Sequence, residues 1–262
     1  MQQNNIDGGK PFDWGRTSAD YAKFRDIYPP LFYKKLTDRG LCIKGQRALD
    51  VGTGTGVLPR NLYACGAKWC GIDPSENQIA QAKQLAAAAG MEIDFRVAGA
   101  EDPVYPAGQF DVITACQCWW YFDAERAFPN LARMLKPGGK LAVLYMAWLP
   151  YEDKIAGESE RLVLEMNPGW TGGGETRKPI SLPECVSRDF ETLTHEEYDL
   201  PVHFSRESWH GRMRACRGVG ASLDAQQLAE WDSAHRALLA RIAPEEFDVL
   251  HYAASVILQK RG

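Results

Sequence analysis

The chain has 262 residues, of which 45% are hydrophobic and 24% charged, a composition typical of a folded globular protein with a sizeable core. Its net charge of −4 argues against a sequence-independent nucleic-acid binder, because such proteins usually carry a basic stripe. No run of about 18 apolar residues occurs and the N-terminus lacks an apolar signal core, so we expect neither a membrane span nor export.

The N-terminal segment places aromatic residues at helical spacing before the first predicted strand. Tyr21, Phe24 and Tyr28 share one face of a short helix, which Pro29 interrupts. These aromatic residues either pack on the core or cover a ligand, and both interpretations stay open. Arg25 lies within the apolar stretch and favours the second, since a cation there calls for an anionic partner.

Apolar runs alternate with helical patterns from residue 47 to residue 147. We predict strands at 47–51, 68–72, 92–97, 110–115 and 140–147, and helices at 56–65, 75–89 and 123–135. Ser75 and Gln78 have the spacing of a capping box at the start of the second helix. Strands that alternate with helices predict a parallel sheet with helices on both faces.

The composition changes after residue 148. A predicted helix at 152–165 is followed by a loop rich in Gly, Pro and Thr, a strand or hairpin arm at 190–204, and helices at 206–217 and 223–241. The stretch "VLHYAASVIL" near the C-terminus alternates in a way that predicts a final strand.

The loop in "ALDVGTGTGVLPR" lies where open α/β sheets bind ligands, because it follows the first strand and opens a helix. A dinucleotide fingerprint would need a third glycine at position 57, which is Val57, and the Lys-Ser/Thr pair of a phosphate-binding P-loop is absent. The motif present is an aspartate, Asp50, followed by glycines at 52, 54 and 56.

This motif resembles motif I of the class I methyltransferases that depend on S-adenosylmethionine (SAM). The resemblance extends through "GIDPS", "VAGAEDP", "FDVITACQCWWYF" and "LKPGGKLAVL", which together cover residues 46–147 in the family's order. The N-terminal Tyr21–Pro29 segment is similar to the Y-x-x-x-R-x-x-YP pattern of type-11 methyltransferase relatives.

The resemblance implies one α/β domain over residues 1–262, with a Rossmann-like, seven-stranded, mostly parallel sheet. Within it we expect a lid at 1–40, a SAM-binding core at 41–147, a cap at 148–240 and a final strand at 241–262. That last strand is expected to run antiparallel to its neighbours. The cap carries only weak family features.

The implied cofactor is SAM, with S-adenosylhomocysteine as its product. A carboxylate such as Asp73 accepts hydrogen bonds from both ribose hydroxyls, the backbone at 52–54 passes the methionyl part, and 99–101 line the adenine. Asp50 either meets the cofactor's ammonium group or braces the loop. The expected cofactor contacts are Tyr21, Arg25, Tyr28, Asp50, Gly52, Thr53, Gly54, Asp73, Pro74, Gln78, Gly99, Ala100, Glu101 and Gln117.

The stretch "CQCWWYFD" follows the fourth strand and is expected to border the transferred methyl group. Trp120 stands where related sequences often carry a histidine, so an aromatic wall replaces an obvious base and suits a planar, cationic or thiol acceptor. We expect Gln117 to hydrogen-bond SAM or the acceptor. His203 is a possible base, although a lone histidine is more often structural. The cap candidates are Trp148, Trp170, Arg177, His203, Trp209 and His210.

These features predict an enzyme that methylates a small molecule at oxygen, nitrogen or sulfur. An NAD(P)-dependent oxidoreductase stays open because Asp73 also suits the ribose of NAD, and so does a SAM-binding protein without turnover. The seven cysteines are odd in number and irregularly spaced, which favours reduced thiols in the cytoplasm and predicts no metal site. We expect no nucleic-acid or membrane partner, and the oligomeric state stays open.

Overall fold

The computed structural model describes residue 7 and residues 18–262, apart from the side chains of residues 18, 19 and 21. The strands are β1 (Arg47–Val51), β2 (Lys68–Asp73), β3 (Asp94–Val97), β4 (Phe110–Cys116), β5 (Leu135–Trp148), β6 (Phe190–Ser205) and β7 (Glu246–Lys260). They form one seven-stranded sheet in the order β3-β2-β1-β4-β5-β7-β6. β7 is antiparallel to β5 and β6, whereas the other neighbours are parallel. The predicted fold class is confirmed.

Two of the described helices precede β1, and the others lie between the strands. They are α1 (Ser18–Phe24), α2 (Pro30–Thr37), α3 (Val57–Asn61), α4 (Glu76–Ala88), α5 (Ala124–Met134), α6 (Lys154–Met166), α7 (Val186–Asp189), α8 (Arg206–Arg214) and α9 (Ala225–Ile242). α3 is shorter than predicted, because a single 3₁₀ turn at Tyr63–Cys65 follows it and the left-handed Gly66 (φ 88°) ends that turn. β5 begins earlier than predicted, since Leu135 already pairs with Phe110.

The central strands are covered on both faces, as expected for a parallel sheet. Ile113 in β4 and Leu141 in β5 are fully buried. Ser75 caps α4, because its hydroxyl accepts a hydrogen bond from the backbone N–H of Gln78 at 3.4 Å. The reciprocal bond of the predicted capping box is not formed, since the Ser75 N–H donates to Asp73 instead. The helix then packs Ala82 against Phe95 of β3. Local sequence signals and packing therefore agree in this part of the sheet.

The cap has a polar network at its centre, formed by α6, α8 and α9. The Ser159 hydroxyl accepts from the Trp209 indole at 2.9 Å and lies 3.0 Å from Nε2 of His235. His210 and His235 are stacked, and their Nδ1 atoms are 3.0 Å apart. Burial lowers the pKa of His235 to about 3, so this network holds His235 as a neutral imidazole at neutral pH.

The first helix is attached to the cap rather than to the sheet. Gly211 of α8 lies against the Phe24 ring, where an added Cβ would come within 2.2 Å of a ring carbon. Arg214 pairs with Asp20 of α1 at 2.8 Å. This packing joins α1 to α8 of the cap. The boundaries of lid, core and cap stay a prediction.

Candidate cofactor and acceptor site

The glycine loop between β1 and α3 is a tightly bent backbone. Gly52, Gly54 and Gly56 have φ values of 65°, 55° and 76°, in the left-handed region that favours glycine. A Cβ at Gly52 would lie 2.8 Å from Sγ of Cys118, in the segment after β4. The loop is also held to β2, because Thr53 N–H donates to the Ile72 carbonyl at 2.9 Å.

Asp73, the last residue of β2, shapes this loop from the neighbouring strand. Its Oδ2 accepts the backbone N–H of Gly54 and its Oδ1 that of Ser75, each at 2.9 Å. Burial raises the pKa of Asp73, and these two hydrogen bonds oppose that rise. An ionised carboxylate has about four acceptor sites, so Asp73 can still accept two hydroxyl groups from a ligand.

Asp50 lies beneath the loop and is only 3% exposed. Its Oδ1 accepts from the Thr114 hydroxyl at 2.6 Å. Burial raises the pKa of Asp50 to about 7, although hydrogen bonds from Thr114 and Thr53 lower it. Asp50 does not line the cavity. Of its two expected roles, its position fits bracing the loop rather than contact with the cofactor's ammonium group.

A cavity of about 810 Å³ opens at the carboxyl ends of the strands, a size in the range of small-molecule sites. Its first half is bounded by the glycine loop, the end of β2 and the segment after β3, and we call it the adenosyl half. The predicted cofactor residues in its wall are Arg25, Gly52, Gly54, Asp73, Pro74, Gln78, Gly99, Ala100, Glu101 and Gln117.

The other half of the cavity is mainly aromatic, and we call it the acceptor half. Its aromatic residues are Trp119, Trp120, Tyr121, Tyr145, Trp148 and Trp170, and its charged residues are Glu175, Lys178, Arg212 and Arg217. The edges of Trp119 and Trp120 meet Tyr145 with ring centroids 5.9 and 5.8 Å apart. This half provides flat walls that can hold a planar molecule.

A family model described as a methyltransferase domain matches residues 49–143, which include the glycine loop and Asp73. Residues 49–143 are a methyltransferase domain. The match confirms the resemblance that was drawn from the sequence. It also confirms SAM as the expected cofactor.

Among curated relatives, a ubiquinone biosynthesis O-methyltransferase of Marinobacter nauticus is 33% identical over 135 residues, which are 50% of this chain and 56% of the relative. One from Coxiella burnetii is 35% identical over 130 residues, which are 49% of this chain and 55% of the relative. The chain thus matches about half the length of these relatives, and the match supports the methyltransferase domain.

Solved structures show the same fold at low identity. A protein described as converting a disulfide bond into a thioacetal group during echinomycin biosynthesis has a TM-score of 0.57 and 19% identity, over 95% of this chain and 84% of the other. YcgJ of Bacillus subtilis has a TM-score of 0.53 and 20% identity, over 88% of this chain and 97% of the other. At these identities the likeness concerns the fold alone.

Some predicted cofactor residues of the methyltransferase domain lie outside the cavity wall. The Tyr28 ring stacks on Phe32 with centroids 4.5 Å apart, and its hydroxyl is 3.3 Å from Sγ of Cys116. Tyr28 therefore belongs to the core, as one of its two interpretations predicts. Thr53 is buried with the loop and does not line the cavity. The side chain of Tyr21 lies outside the described residues.

Gln117 lines the cavity in a left-handed conformation, with a φ of 60°. Its backbone N–H donates to the Leu144 carbonyl at 2.9 Å, and its side-chain amide nitrogen donates to the Met146 carbonyl. Both bonds attach the end of β4 to β5. Hydrogen bonding of Gln117 to a ligand stays a prediction. Trp120 also lines the cavity, where it is 41% exposed.

His203 does not line the cavity, so the prediction that it acts as a base is wrong. It lies on β6 with Nδ1 2.9 Å from Oδ1 of Asp248 and Nε2 3.2 Å from Oε2 of Glu246, and its side chain is 67% exposed. These carboxylates raise the pKa of His203. The sequence placed it in the cap, but β6 carries it to the open edge of the sheet, away from the cavity.

The other cap candidates divide between the cavity and the rest of the cap. Trp148 and Trp170 line the cavity, and their contact with an acceptor stays a prediction. Arg177 pairs with Glu152 and Asp199 on the surface. Trp209 and His210 belong to the buried network of the cap and do not reach the cavity.

Arg217, which follows α8, links three distant segments at the cavity wall. Its Nε lies 2.7 Å from Oδ2 of Asp7, a residue only 2% exposed. Asp7 also accepts the backbone N–H of Thr171 at 2.7 Å, and Arg217 donates to the Tyr121 hydroxyl at 3.0 Å. The sequence separation of these residues leaves no local signal for the cluster.

Within the described part of the chain, no group of three or more His, Cys, Asp or Glu residues is placed to hold a metal ion. None of the described helices is long and apolar enough to cross a membrane.

Proposed function

We propose that the protein transfers the methyl group of SAM to a small-molecule acceptor. The observation that carries this proposal is a single cavity, in which the glycine loop and Asp73 bound one half and aromatic side chains bound the other. A donor in the first half therefore meets an acceptor in the second without either leaving the protein. In this proposal residues 1–40 serve as the lid, 41–147 hold SAM and 148–240 hold the acceptor.

The residues of the adenosyl half fit the chemical groups of SAM. Asp73 has acceptor sites for the two ribose hydroxyls, and the left-handed glycines let the ligand approach the backbone without meeting a Cβ. Arg25 supplies a cation for the methionyl carboxylate at the same wall. SAM supplies an electrophilic methyl group whose leaving group is a neutral thioether. The protein then has to align the acceptor and exclude water.

An oxygen acceptor is favoured over nitrogen or sulfur. The curated relatives that match the domain are named as ubiquinone biosynthesis O-methyltransferases, although the match covers about half of their length. The flat walls of the acceptor half suit a planar molecule. An oxidoreductase would need a site for a second nucleotide or its pyrophosphate, and the loop lacks the third glycine of that fingerprint.

Calorimetry with SAM, S-adenosylhomocysteine and NADH tests the cofactor. We expect heat from the first two ligands in the micromolar range and none from NADH. A panel of phenols, thiols and amines, assayed for S-adenosylhomocysteine by chromatography, then tests transfer. Binding of NADH without SAM would replace the proposal by an oxidoreductase. Binding of SAM without turnover of any acceptor would indicate a SAM-binding protein that is not a methyltransferase.

A further inference from the structure

The loop at 98–105 follows β3 and bounds the adenosyl half of the cavity. Four of its residues line the cavity wall: Gly99, Ala100, Glu101 and Asp102. The turn that they form is closed from within, because Gly99 N–H donates to Oδ2 of Asp102 at 2.7 Å and Asp102 N–H donates to the Gly99 carbonyl at 3.2 Å. These bonds give the turn its shape, but its position against the cavity depends on other elements.

Asn130 of α5 attaches this turn to the helix. Its side-chain amide nitrogen donates to the Ala100 carbonyl at 2.8 Å and to the Asp102 carbonyl at 3.0 Å. The two carbonyls belong to the residues on either side of Glu101, so one amide holds both flanks of that residue. Asn130 itself does not line the cavity. Any effect of Asn130 on a ligand therefore acts through the loop.

Arg133, one helical turn further along α5, fixes the orientation of this amide. Its Nη2 donates to Oδ1 of Asn130 and to the Tyr105 carbonyl, each at 2.9 Å, and its Nε donates to the same Oδ1 at 3.2 Å. Because the amide oxygen faces the guanidinium, the amide nitrogen faces the two carbonyls of the turn. The same arrangement strengthens the amide N–H groups as donors, since hydrogen bonds in series polarise one another.

The ends of the loop are held by other contacts, so the turn is the part that depends on Asn130. At the beginning of the loop, Ala98 N–H donates to the Asp73 carbonyl at 3.0 Å. At its end, the Tyr105 ring is buried and meets the Phe110 ring with centroids 5.1 Å apart. Loss of Asn130 is therefore expected to displace the turn without unfolding the loop.

Glu101 is the residue of the turn that can distinguish one base from another. Its Oε1 accepts the backbone N–H of Asp123, just before α5, at 2.8 Å. Its Oε2 lies over Gly99 in the cavity wall, since a Cβ at Gly99 would come within 2.8 Å of it. This oxygen is not enclosed by the protein, and no described residue donates to it. A carboxylate in this place accepts from the exocyclic amino group of adenine and repels a carbonyl oxygen.

We propose that Asn130 is a positioning residue for the adenine of SAM, and that it acts by holding Glu101 at the cavity wall. This inference rests on the methyl transfer proposed above. Asn130, oriented by Arg133, keeps the turn in the place where Glu101 meets the adenine amino group. Asn130 thereby contributes to the choice of the base and takes no part in the transfer of the methyl group.

The test compares two ligands that differ in the base alone. In S-inosylhomocysteine a carbonyl oxygen replaces the amino group of the adenine of S-adenosylhomocysteine. Calorimetry with wild type is expected to show at least about tenfold weaker binding of the inosine ligand, because its oxygen faces the Glu101 carboxylate. In Asn130→Ala the Kd of S-adenosylhomocysteine is expected to rise about tenfold and the ratio of the two Kd values to fall below about threefold, since Glu101 is displaced.

Two further substitutions separate positioning from a general loss of structure. Asn167→Ala removes another asparagine whose amide donates to a backbone carbonyl, that of Gly218 in the cap at 3.0 Å, and it is expected to keep the wild-type ratio. Glu101→Gln is expected to lose the discrimination directly, because an amide both donates and accepts. Adding Asn130→Ala to Glu101→Gln is expected to change the ratio by less than about twofold, because the two residues act through one contact.

Arg133→Lys provides a second test that does not depend on the folding of Asn130→Ala. Lysine keeps the positive charge but loses the planar fork that orients the Asn130 amide. The ratio of the two Kd values is expected to fall about threefold, a smaller change than in Asn130→Ala because both carbonyls keep a donor. Urea unfolding establishes that each variant is folded.

The outcomes distinguish this inference from the methyl transfer on which it rests. An unchanged ratio in folded Asn130→Ala or in Arg133→Lys would overturn the role of Asn130. Equal weakening of both ligands in Asn130→Ala, or the same fall in the ratio in Asn167→Ala, would mean a merely structural role and would also overturn it. Wild-type protein that binds both ligands equally would overturn recognition of the base by Glu101 and leave methyl transfer intact. Wild-type protein that binds neither ligand would contradict the proposed function itself.

Discussion

Replacing Asp73 by alanine tests the adenosyl half most sharply. The carboxylate already accepts two backbone N–H bonds, from Gly54 and Ser75, and is expected to accept two ribose hydroxyls when SAM binds. In Asp73→Ala the ribose hydroxyls lose a charged acceptor, and the glycine loop loses one of its supports. Hydrogen bonds to charged groups contribute about 1.5–3 kcal/mol each, but water replaces part of the loss. We expect a net loss of about 1–3 kcal/mol, a roughly 5- to 150-fold higher Kd.

Calorimetric titration with S-adenosylhomocysteine measures this change. Asp94→Ala is the matched control, because Asp94 stands at the start of β3, opposite the cavity end of the strands, and pairs with Arg96 on the surface. Urea unfolding establishes that both variants fold. A folded Asp73→Ala protein whose Kd lies within twofold of wild type would mean that the ribose does not bind at Asp73.

Three other substitutions test the loop, its buried carboxylate and the first helix. Gly52→Ala places a Cβ 2.8 Å from Sγ of Cys118 on a backbone with a positive φ. Urea unfolding should show that the free energy of unfolding falls by about 1–3 kcal/mol. An unchanged free energy of unfolding would contradict the loop geometry. The pKa of Asp50 is about 7 in the folded protein and about 4 in the unfolded chain. The folded protein therefore binds this proton more tightly, and the free energy of unfolding of wild type falls as the pH rises from about 4 to about 7. Asp50→Asn cannot titrate and should gain up to roughly 4 kcal/mol relative to wild type across that window, whereas a difference independent of pH would refute the burial argument. Gly211→Ala should displace the Phe24 ring. We expect proteases to cleave the N-terminal segment faster while the free energy of unfolding stays unchanged. An unchanged cleavage rate would contradict this packing.

The parallel core was predictable because its signals are local. Apolar runs, the glycine loop and the spacing of Ser75 and Gln78 each report on contacts within a few residues, and the structure places β1, β2 and α4 close to the predicted bounds. The end of β2 was predictable for the same reason, because a carboxylate directly after a buried strand reaches the ligand edge of a parallel sheet.

The acceptor half was less predictable because its residues meet only in the folded chain. Glu175 lies in a Gly-rich loop with no periodic pattern, and Tyr145, which lines the same half of the cavity, comes from a strand thirty residues earlier. A polar hydroxyl within the apolar stretch "LAVLYMA" was the available signal for Tyr145. The prediction for His203 was wrong because it rested on the residue type alone. The strand that carries His203 lies at the edge of the sheet, which the local sequence does not show.

A crystal structure with S-adenosylhomocysteine bound tests directly whether Asp73 holds the cofactor. We expect both ribose hydroxyls within hydrogen-bond distance of the Asp73 carboxylate and the sulfur atom facing Trp120 and Tyr145. A ligand bound elsewhere, or bound in the cavity with its ribose away from Asp73, would contradict this expectation.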